Sequence, residues 1–366
     1  MRRCLLLGVA VAAWGWGCTD RAASDDGGGV WPDLALDSKA TDLAPTDRGV
    51  DVSLPDGSGR DAALEPWQSV KVHQNPDLHA VACLASGDVF VAGDQGTLLH
   101  RGPGSPPGIV FTKQQVGDPT TTNDLYTVSF ADAAYGAAAG KGWEIWETKD
   151  LGQTWAMAPQ CSAFLFDAFH ALHLDTSTSG FGAGIANNGQ GGGYKYYGGY
   201  SWVCGPTPYA GEAFYDVVRL GKSGWIVGKT GGKIYATEDE GMAWTPVSAG
   251  TTATLHAVHF QSAALGLAVG EGGVIVRSTD GAGKVWSSVT SGVSTDLHDV
   301  TMVDATTGWA VGEGGTLLVT KDGGQSWSQQ LSGVTERLEG VCFTSAKDGW
   351  VVGQAGVVLH TETGGS

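Results

Sequence analysis

From Pro66 onward the chain alternates short apolar runs with Gly- and Asp-rich punctuation, and the alternation recurs. Units open at Leu78, Leu125, Phe169, Phe214, Leu255, Leu297 and Leu338, at spacings of 47, 44, 45, 41, 42 and 41 residues. In the sixth unit, the apolar/polar stretch Leu297-His298-Asp299-Val300 leads to Gly308-Trp309-Ala310-Val311-Gly312 and a turn at Glu313-Gly314-Gly315. A further apolar run, Thr316-Leu317-Leu318-Val319, then reaches a turn ending at Trp327 and a last short strand. Short runs rich in Val, Leu, Thr and Trp between Gly and Asp clusters predict β-strands joined by tight turns, four to a unit. One such sheet leaves both faces open, whereas radial repetition buries each face against a neighbour and leaves only short edges. The expectation is an all-β, seven-bladed β-propeller of four-stranded blades over residues 66–366.

The seventh unit stops at Thr361-Glu362-Thr363-Gly364-Gly365-Ser366, where a Trp and a fourth strand are due. Pro66-Trp67-Gln68-Ser69-Val70-Lys71-Val72 supplies both at the other end of the domain. Trp67 stands eleven residues before Leu78, the same interval as Trp244 to Leu255, Trp286 to Leu297 and Trp327 to Leu338. The N-terminal strand is therefore expected to complete the last blade and close the ring.

The turn before each last strand reads Ser/Thr-x-Asp-x-Gly-x-x-Trp, the Asp-box pattern. It occurs at Thr148 to Trp155 around Asp150, at Thr237 to Trp244 around Asp239, and at Thr320 to Trp327 around Asp322; Ser278 to Trp286 around Asp280 carries one extra residue. Its chemistry is local: the Asp carboxylate accepts from turn N–H groups, Gly supplies positive φ, and Trp packs the hairpin onto the blade. These residues read as scaffold. The wording Gly308-Trp309-Ala310-Val311-Gly312-Glu313-Gly314-Gly315 followed by Thr320-Lys321-Asp322-Gly323-Gly324-Gln325-Ser326-Trp327 resembles the photosystem II stability and assembly factor family of Asp-box (BNR-type) propellers. The resemblance covers roughly Pro66 to Gly365 and is loosest in the third unit, where the Gly-rich stretch after Asn187 swells a turn. It implies an exported seven-bladed propeller, lipid-anchored in cyanobacteria, that binds a membrane-protein partner and catalyses nothing. That family's binding is associated with an Arg-rich surface; here Arg101, Arg219, Arg277 and Arg337 do not cluster by repeat position.

Two places in the repeat are candidates for recognition. The second position of the opening strand reads His79, Tyr126, His170, Tyr215, His256, His298 and Glu339, which in a propeller would ring one mouth of the central channel and could meet a metal or small ligand, or simply pack between blades. The turn after the Gly-x-x-x-Gly run carries Asp94, Lys141, Lys229, Glu271, Glu313 and Gln354, and loops on a rigid scaffold often carry recognition. No catalytic residue is assigned. A sialidase needs an arginine trio and a Tyr/Glu pair, no arginine here stands in such a signature, and seven units differ from the six-bladed sialidase ring. An Asp-box glycoside hydrolase and a structural surface-display protein stay as alternatives. Neither cofactor nor metal is expected, because no Cys-x-x-Cys or His-rich metal spacing occurs.

The remaining chain sets the location. Residues 1–17 combine a basic start, the apolar stretch Leu5 to Ala13 and small residues at the end, which reads as a secretory signal too short to span as a mature helix. Cys18 then reads as the acceptor of a lipoprotein lipid, or as an incidental Cys behind an ordinary cleaved signal. Residues 18–65, dense in Asp with few aromatics, form a solvated tether. The net charge is −17, and from Pro66 onward 15 Lys+Arg against 27 Asp+Glu leave −12. That sign disfavours nucleic acid and anionic lipid headgroups as partners. The reading is a monomer at the cell envelope, touching the membrane only through its anchor, with an envelope or membrane protein as partner. In an oxidising setting Cys161 and Cys204 are candidates for a disulfide, whereas Cys83 and Cys342 read as buried small apolar residues.

Overall fold

The computed structural model describes residues 66–72, 75–105, 111–117, 123–142, 144–159, 166–186, 191–197, 201–204 and 212–366. The signal sequence, Cys18, the 18–65 linker and Cys161 fall outside the described residues, as does the side chain of Cys204, so the pairing of Cys161 with Cys204 has no structural counterpart here. No helix of the described residues is long and apolar enough to cross a membrane.

Among the described residues the strands form seven antiparallel four-stranded sheets. Their opening strands are Leu78–Cys83, Leu125–Phe130, Phe166–Thr176, Ala213–Leu220, Leu255–Ser262, Leu297–Met302 and Leu338–Phe343. Six sheets use consecutive strands. The last takes Leu338–Phe343, Gly349–Gly353 and Val357–Thr361 from the C-terminus, and its outer strand, Gln68–Lys71, from the other end of the domain. The pairing runs from Gln68↔His360 to Lys71↔Val357. Opening strands of successive sheets lie side by side, with Leu338–Phe343 next to Leu78–Cys83, which is the arrangement of a β-propeller.

A separate apolar core fills each gap between neighbouring sheets. Between the sixth and seventh, Trp309, Val311 and Leu317 meet Leu338, Val351 and Leu359, all buried. The same aromatic stack recurs at three gaps. The Phe near the end of an opening strand lies flat on a ring of the preceding sheet, as Phe130 on Phe90, Phe260 on Trp225 and Phe343 on Trp309, at centroid separations of 4.2, 3.6 and 3.4 Å. Its edge side meets a turn Trp nearly at right angles: Trp155 on Phe130, Trp286 on Phe260 and Trp67 on Phe343. Trp67 thus occupies, from the N-terminal segment, the place that the Asp-box Trp takes in other blades.

The Asp-box turns hold themselves by hydrogen bonds. Asp150 accepts from the Thr154 N–H at 2.9 Å, Asp239 from Ala243 at 3.0 Å, Asp280 from Gly283 at 2.7 Å and Asp322 from Ser326 at 2.9 Å. Trp244 packs on Phe181, and Trp327 lies against the core between the fifth and sixth sheets. The opening Thr has a role that the motif alone did not reveal. Its hydroxyl accepts the N–H of the Gly four residues on, at 2.8 Å for Thr148–Gly152 and 2.9 Å for Thr320–Gly324. The Ser326 hydroxyl and N–H hold the Asp322 carboxyl down at about 2. Asp322→Ala should therefore destabilise the domain by about 1–2 kcal/mol, the scale of a lost side-chain cap, lowering the melting temperature by about 2–4 °C per kcal/mol. An unchanged melt would mean that the turn needs no carboxylate.

A corrected reading concerns the cysteines. Cys83 and Cys342 are joined by a disulfide, with Cα atoms 5.7 Å apart and 259 residues between them in sequence. Positions in the first and last units are remote along the chain but adjacent across the seam of a ring, and the reading of two separate apolar side chains did not apply that adjacency to the inner strands.

The third position of the opening strand alternates around the ring: Ala80, Thr127, Ala171, Asp216, Ala257, Asp299 and Gly340. The polar members tie one blade to the next. Thr127 accepts the Leu172 N–H at 3.1 Å, Asp216 the Val258 N–H at 2.7 Å, and Asp299 the Val341 N–H at 2.8 Å. Burial pushes the Asp216 carboxyl up to about 8 and the Asp299 carboxyl up to about 7, against the pull of their N–H donors. Between about pH 4 and these values the unfolded chain releases protons that the folded chain keeps, so stability falls as pH rises through this window. The Asp-box carboxylates, held low, act oppositely and only as pH falls from about 4 toward 2. The buried histidines His170, His173, His256 and His259, held below the ordinary histidine range, add stability as pH rises toward about 6.5. From about pH 6.5 to 8 the two carboxyls act alone, so the melting temperature should decline there, and decline less in the Asp216→Asn, Asp299→Asn double variant. A melting temperature that climbs between about pH 6.5 and 8, or an equal decline in the double variant, would contradict this assignment.

Candidate functional site at the channel mouth

Each opening strand skips one register step after its first core residue. Leu78 faces Gly93 and Ala80 faces Ala92; Leu297 faces Gly312 and Asp299 faces Val311, and the same skip occurs in the other five sheets. A bulge leaves its extra residue outside the ladder and re-aims the side chain. The seven bulged residues are His79, Tyr126, His170, Tyr215, His256, His298 and Glu339. Opposite the bulge, the Gly ending the second strand has a steric reason: a Cβ on Gly312 would lie 2.0 Å from the Asp296 carbonyl oxygen.

These seven side chains line one cavity of about 440 Å³, together with Lys229, Thr254, Glu271 and Arg337. Neighbouring rings touch in sequence, with centroids 5.1 Å apart for His79–Tyr126, 5.4 Å for Tyr126–His170 and 5.5 Å for His170–Tyr215. The run continues at 6.0 Å for Tyr215–His256 and 5.1 Å for His256–His298. His256 donates from Nδ1 to the Leu297 carbonyl at 2.9 Å. Burial holds the imidazoles of His170 and His256 below the ordinary histidine range, so both are neutral near pH 7.

Most of the turn residues belong to the same place. Asp94 pairs with His79 at 2.7 Å, and Glu313 with His298 at 3.2 Å. Arg337 Nε reaches Glu339 at 2.5 Å and its Nη1 lies 3.8 Å from Glu313. Lys141 lies 3.8 Å from Asp124, and Lys229 and Glu271 line the cavity itself. Four of the six turn residues thus meet the ring, Asp94 and Glu313 by contact with His79 and His298 and Lys229 and Glu271 by lining the cavity, whereas Lys141 lines a separate pocket. Gln354 lies in the corresponding turn of the last sheet, where the Ala355 N–H donates to Asp77 at 2.8 Å. Among the described residues no group of three or more His, Cys, Asp or Glu side chains is arranged to hold a metal ion. Arg337 and Asp124, each immediately before an opening Leu, were not singled out as site residues; only the turn geometry carries them to the mouth.

Among the described residues the other three arginines are spent in the fold. Arg219 is buried and lies 3.2 Å from Asp175 through Nε, Arg277 donates to the Gly323 carbonyl at 2.6 Å, and Arg101 lies over the Trp350 ring.

Residues 278–366 match the family described as Photosynthesis system II assembly factor YCF48. The structure described as YCF48 bound to D1 peptide is 21% identical with a TM-score of 0.66, over 85% of this chain and 100% of that one. The chain resembles this assembly-factor family. YCF48 from Cyanidioschyzon merolae gives 17% identity and a TM-score of 0.64, over 81% of this chain and 98% of that one. The GH74 xyloglucanase from Xanthomonas campestris gives 15% and 0.65, over 81% of this chain and 53% of that one. At these identities the structural likenesses establish the fold alone. No curated protein matches the chain.

Proposed function

We propose that this chain is an exported, non-enzymatic binding propeller of the assembly-factor kind. A lipid on Cys18 and the 18–65 leash hold it at the cell envelope, and its ring of seven blades, fastened by residues 66–72, binds a membrane protein there as a monomer. The observation that carries the reading is the match of residues 278–366 to the YCF48 family on a fold shared with YCF48 bound to a D1 peptide. An acyl chain contributes about 0.8 kcal/mol per buried methylene, so Cys18→Ser should move the protein from membrane to soluble fractions. Crosslinking in the native cell, followed by identification of what is captured, tests the central claim. Reproducible recovery of one membrane protein supports it, and recovery of none overturns it.

The second reading, a carbohydrate-active enzyme, is favoured by the likeness to the GH74 xyloglucanase. Release of reducing ends from xyloglucan by the purified domain would support it. A surface-display protein would fail both experiments.

A further inference from the structure

We infer that the channel-mouth cavity receives an organic cation, an ammonium or guanidinium group, between the faces of Tyr126, Tyr215 and the neighbouring imidazoles and the carboxylates of Glu271 and Glu339. Where that cation is a side chain of the bound partner, the inference rests on the reading above.

The wall decides the ligand class first. None of the lining residues is aliphatic, and the arc from His79 to His298 is an unbroken run of touching rings. Ring faces carry negative quadrupole potential and attract cations. His170 and His256, neutral through burial, contribute π faces without adding positive charge.

The charges at the mouth point the same way. Burial, and then the carboxylates Asp124 and Asp94, raise the pKa of the Tyr126 phenol; burial and Glu271 do the same at Tyr215. Burial is the larger cause at both, and the smaller, carboxylate part disfavours further negative charge there. Of the two basic lining residues besides the histidines, Arg337 is committed to Glu339 and Glu313. Lys229 is the remaining basic lining residue and is exposed. The charged lining residues balance, Lys229 and Arg337 against Glu271 and Glu339, and Arg337 already holds Glu339, so Glu271 is the carboxylate left to face a ligand. The unbroken run of ring faces is what favours a cation over an anion. The volume, about 440 Å³, accommodates a long amine-bearing side chain with part of its backbone.

Calorimetric titration of the purified domain with Nα-acetyl-lysine amide, its neutral isostere Nα-acetyl-norleucine amide, Nα-acetyl-glutamate amide and spermidine tests this. The lysine probe should bind at least about fivefold more tightly than the neutral isostere, with the glutamate probe weakest. Glu339→Gln, which also releases Arg337 into the cavity, should weaken lysine-probe binding by about fivefold or more, and Lys229→Gln should strengthen it by about twofold. Thermal melts of both variants establish that they fold. Tighter binding of the lysine amide than of spermidine marks a protein side chain as the source, and the reverse marks a free amine. Equal binding of the neutral isostere, preference for the glutamate probe, no detectable binding, or folded variants that leave affinity unchanged would each overturn the inference. Capture of a membrane partner by the Glu339→Gln chain, with no binding of the cationic probes to the parent domain, would sink the cation site while leaving the assembly-factor reading intact.

Discussion

Removal of residues 66–72 is expected to unfold most of the domain at 37 °C or drive it into aggregates. Trp67, Val70 and Val72 are at most 5% exposed and serve two gaps, Trp67 that between the sixth and seventh sheets and the valines that between the seventh and first. Truncating a buried Trp costs about 3–5 kcal/mol, and exposing each Val adds roughly 1.5–3 kcal/mol. The sum, roughly 6–11 kcal/mol, is comparable to the whole stability of a typical domain, about 5–15 kcal/mol. The loss also uncovers the edge of Val357–Thr361, a template for pairing with other chains. Trp67→Ala isolates one part of this effect. In the last blade the Gly365 N–H donates to Thr361 Oγ1 at 2.9 Å, the bond that Gly324 makes to Thr320, and the Trp that completes such a turn comes from the other end of the domain. That substitution should lower the melting temperature by about 6–20 °C, at about 2–4 °C per kcal/mol. An unchanged melt for either variant would show that residues 66–72 do not fasten the last sheet.

The interval from Trp67 to Leu78 made that strand legible, because eleven residues is also the distance from a turn Trp to the next opening Leu elsewhere. Strand boundaries were legible for the same reason: Gly and Asp punctuation recurs with fixed spacing around Val-, Leu- and Trp-rich runs. The bulge was not. Apolar/polar alternation assigns a face to each residue, but a one-residue shift after Leu78 or Leu297 depends on how the backbone passes its neighbour. Without it the sequence cannot show that Asp94 and Glu313 fold back onto His79 and His298. Nor does the alternation single out Asp216 and Asp299. They are buried because each faces the next blade and accepts an N–H from that blade's inner strand, a partner 42 residues away. Such a partner is set by the radial arrangement, which no local pattern encodes.

Breaking the Cys83–Cys342 bond is the second change expected to act strongly. The bond joins the opening strands of the first and last sheets, while Gln68–Lys71 secures the outer edge of the last one, so the same seam is fastened at the inner and outer strands. In the chain-entropy view a cross-link stabilises by restricting the unfolded chain, more so for longer loops, and this loop spans 259 residues. A loss of roughly 2–5 kcal/mol is expected for the Cys83→Ser, Cys342→Ser double variant; the pair is exchanged together so that no lone thiol remains. Reducing the parent protein with dithiothreitol should lower its melting temperature by a similar amount and leave the double variant unaffected. Such a bond persists in oxidising compartments and is rare in the cytosol, so its presence in protein isolated from cells under thiol-blocking conditions would support export independently of any partner. Two free thiols in protein isolated that way, or a melt indifferent to dithiothreitol, would remove both the inner fastening and that support for export, leaving Gln68–Lys71 to hold the seam.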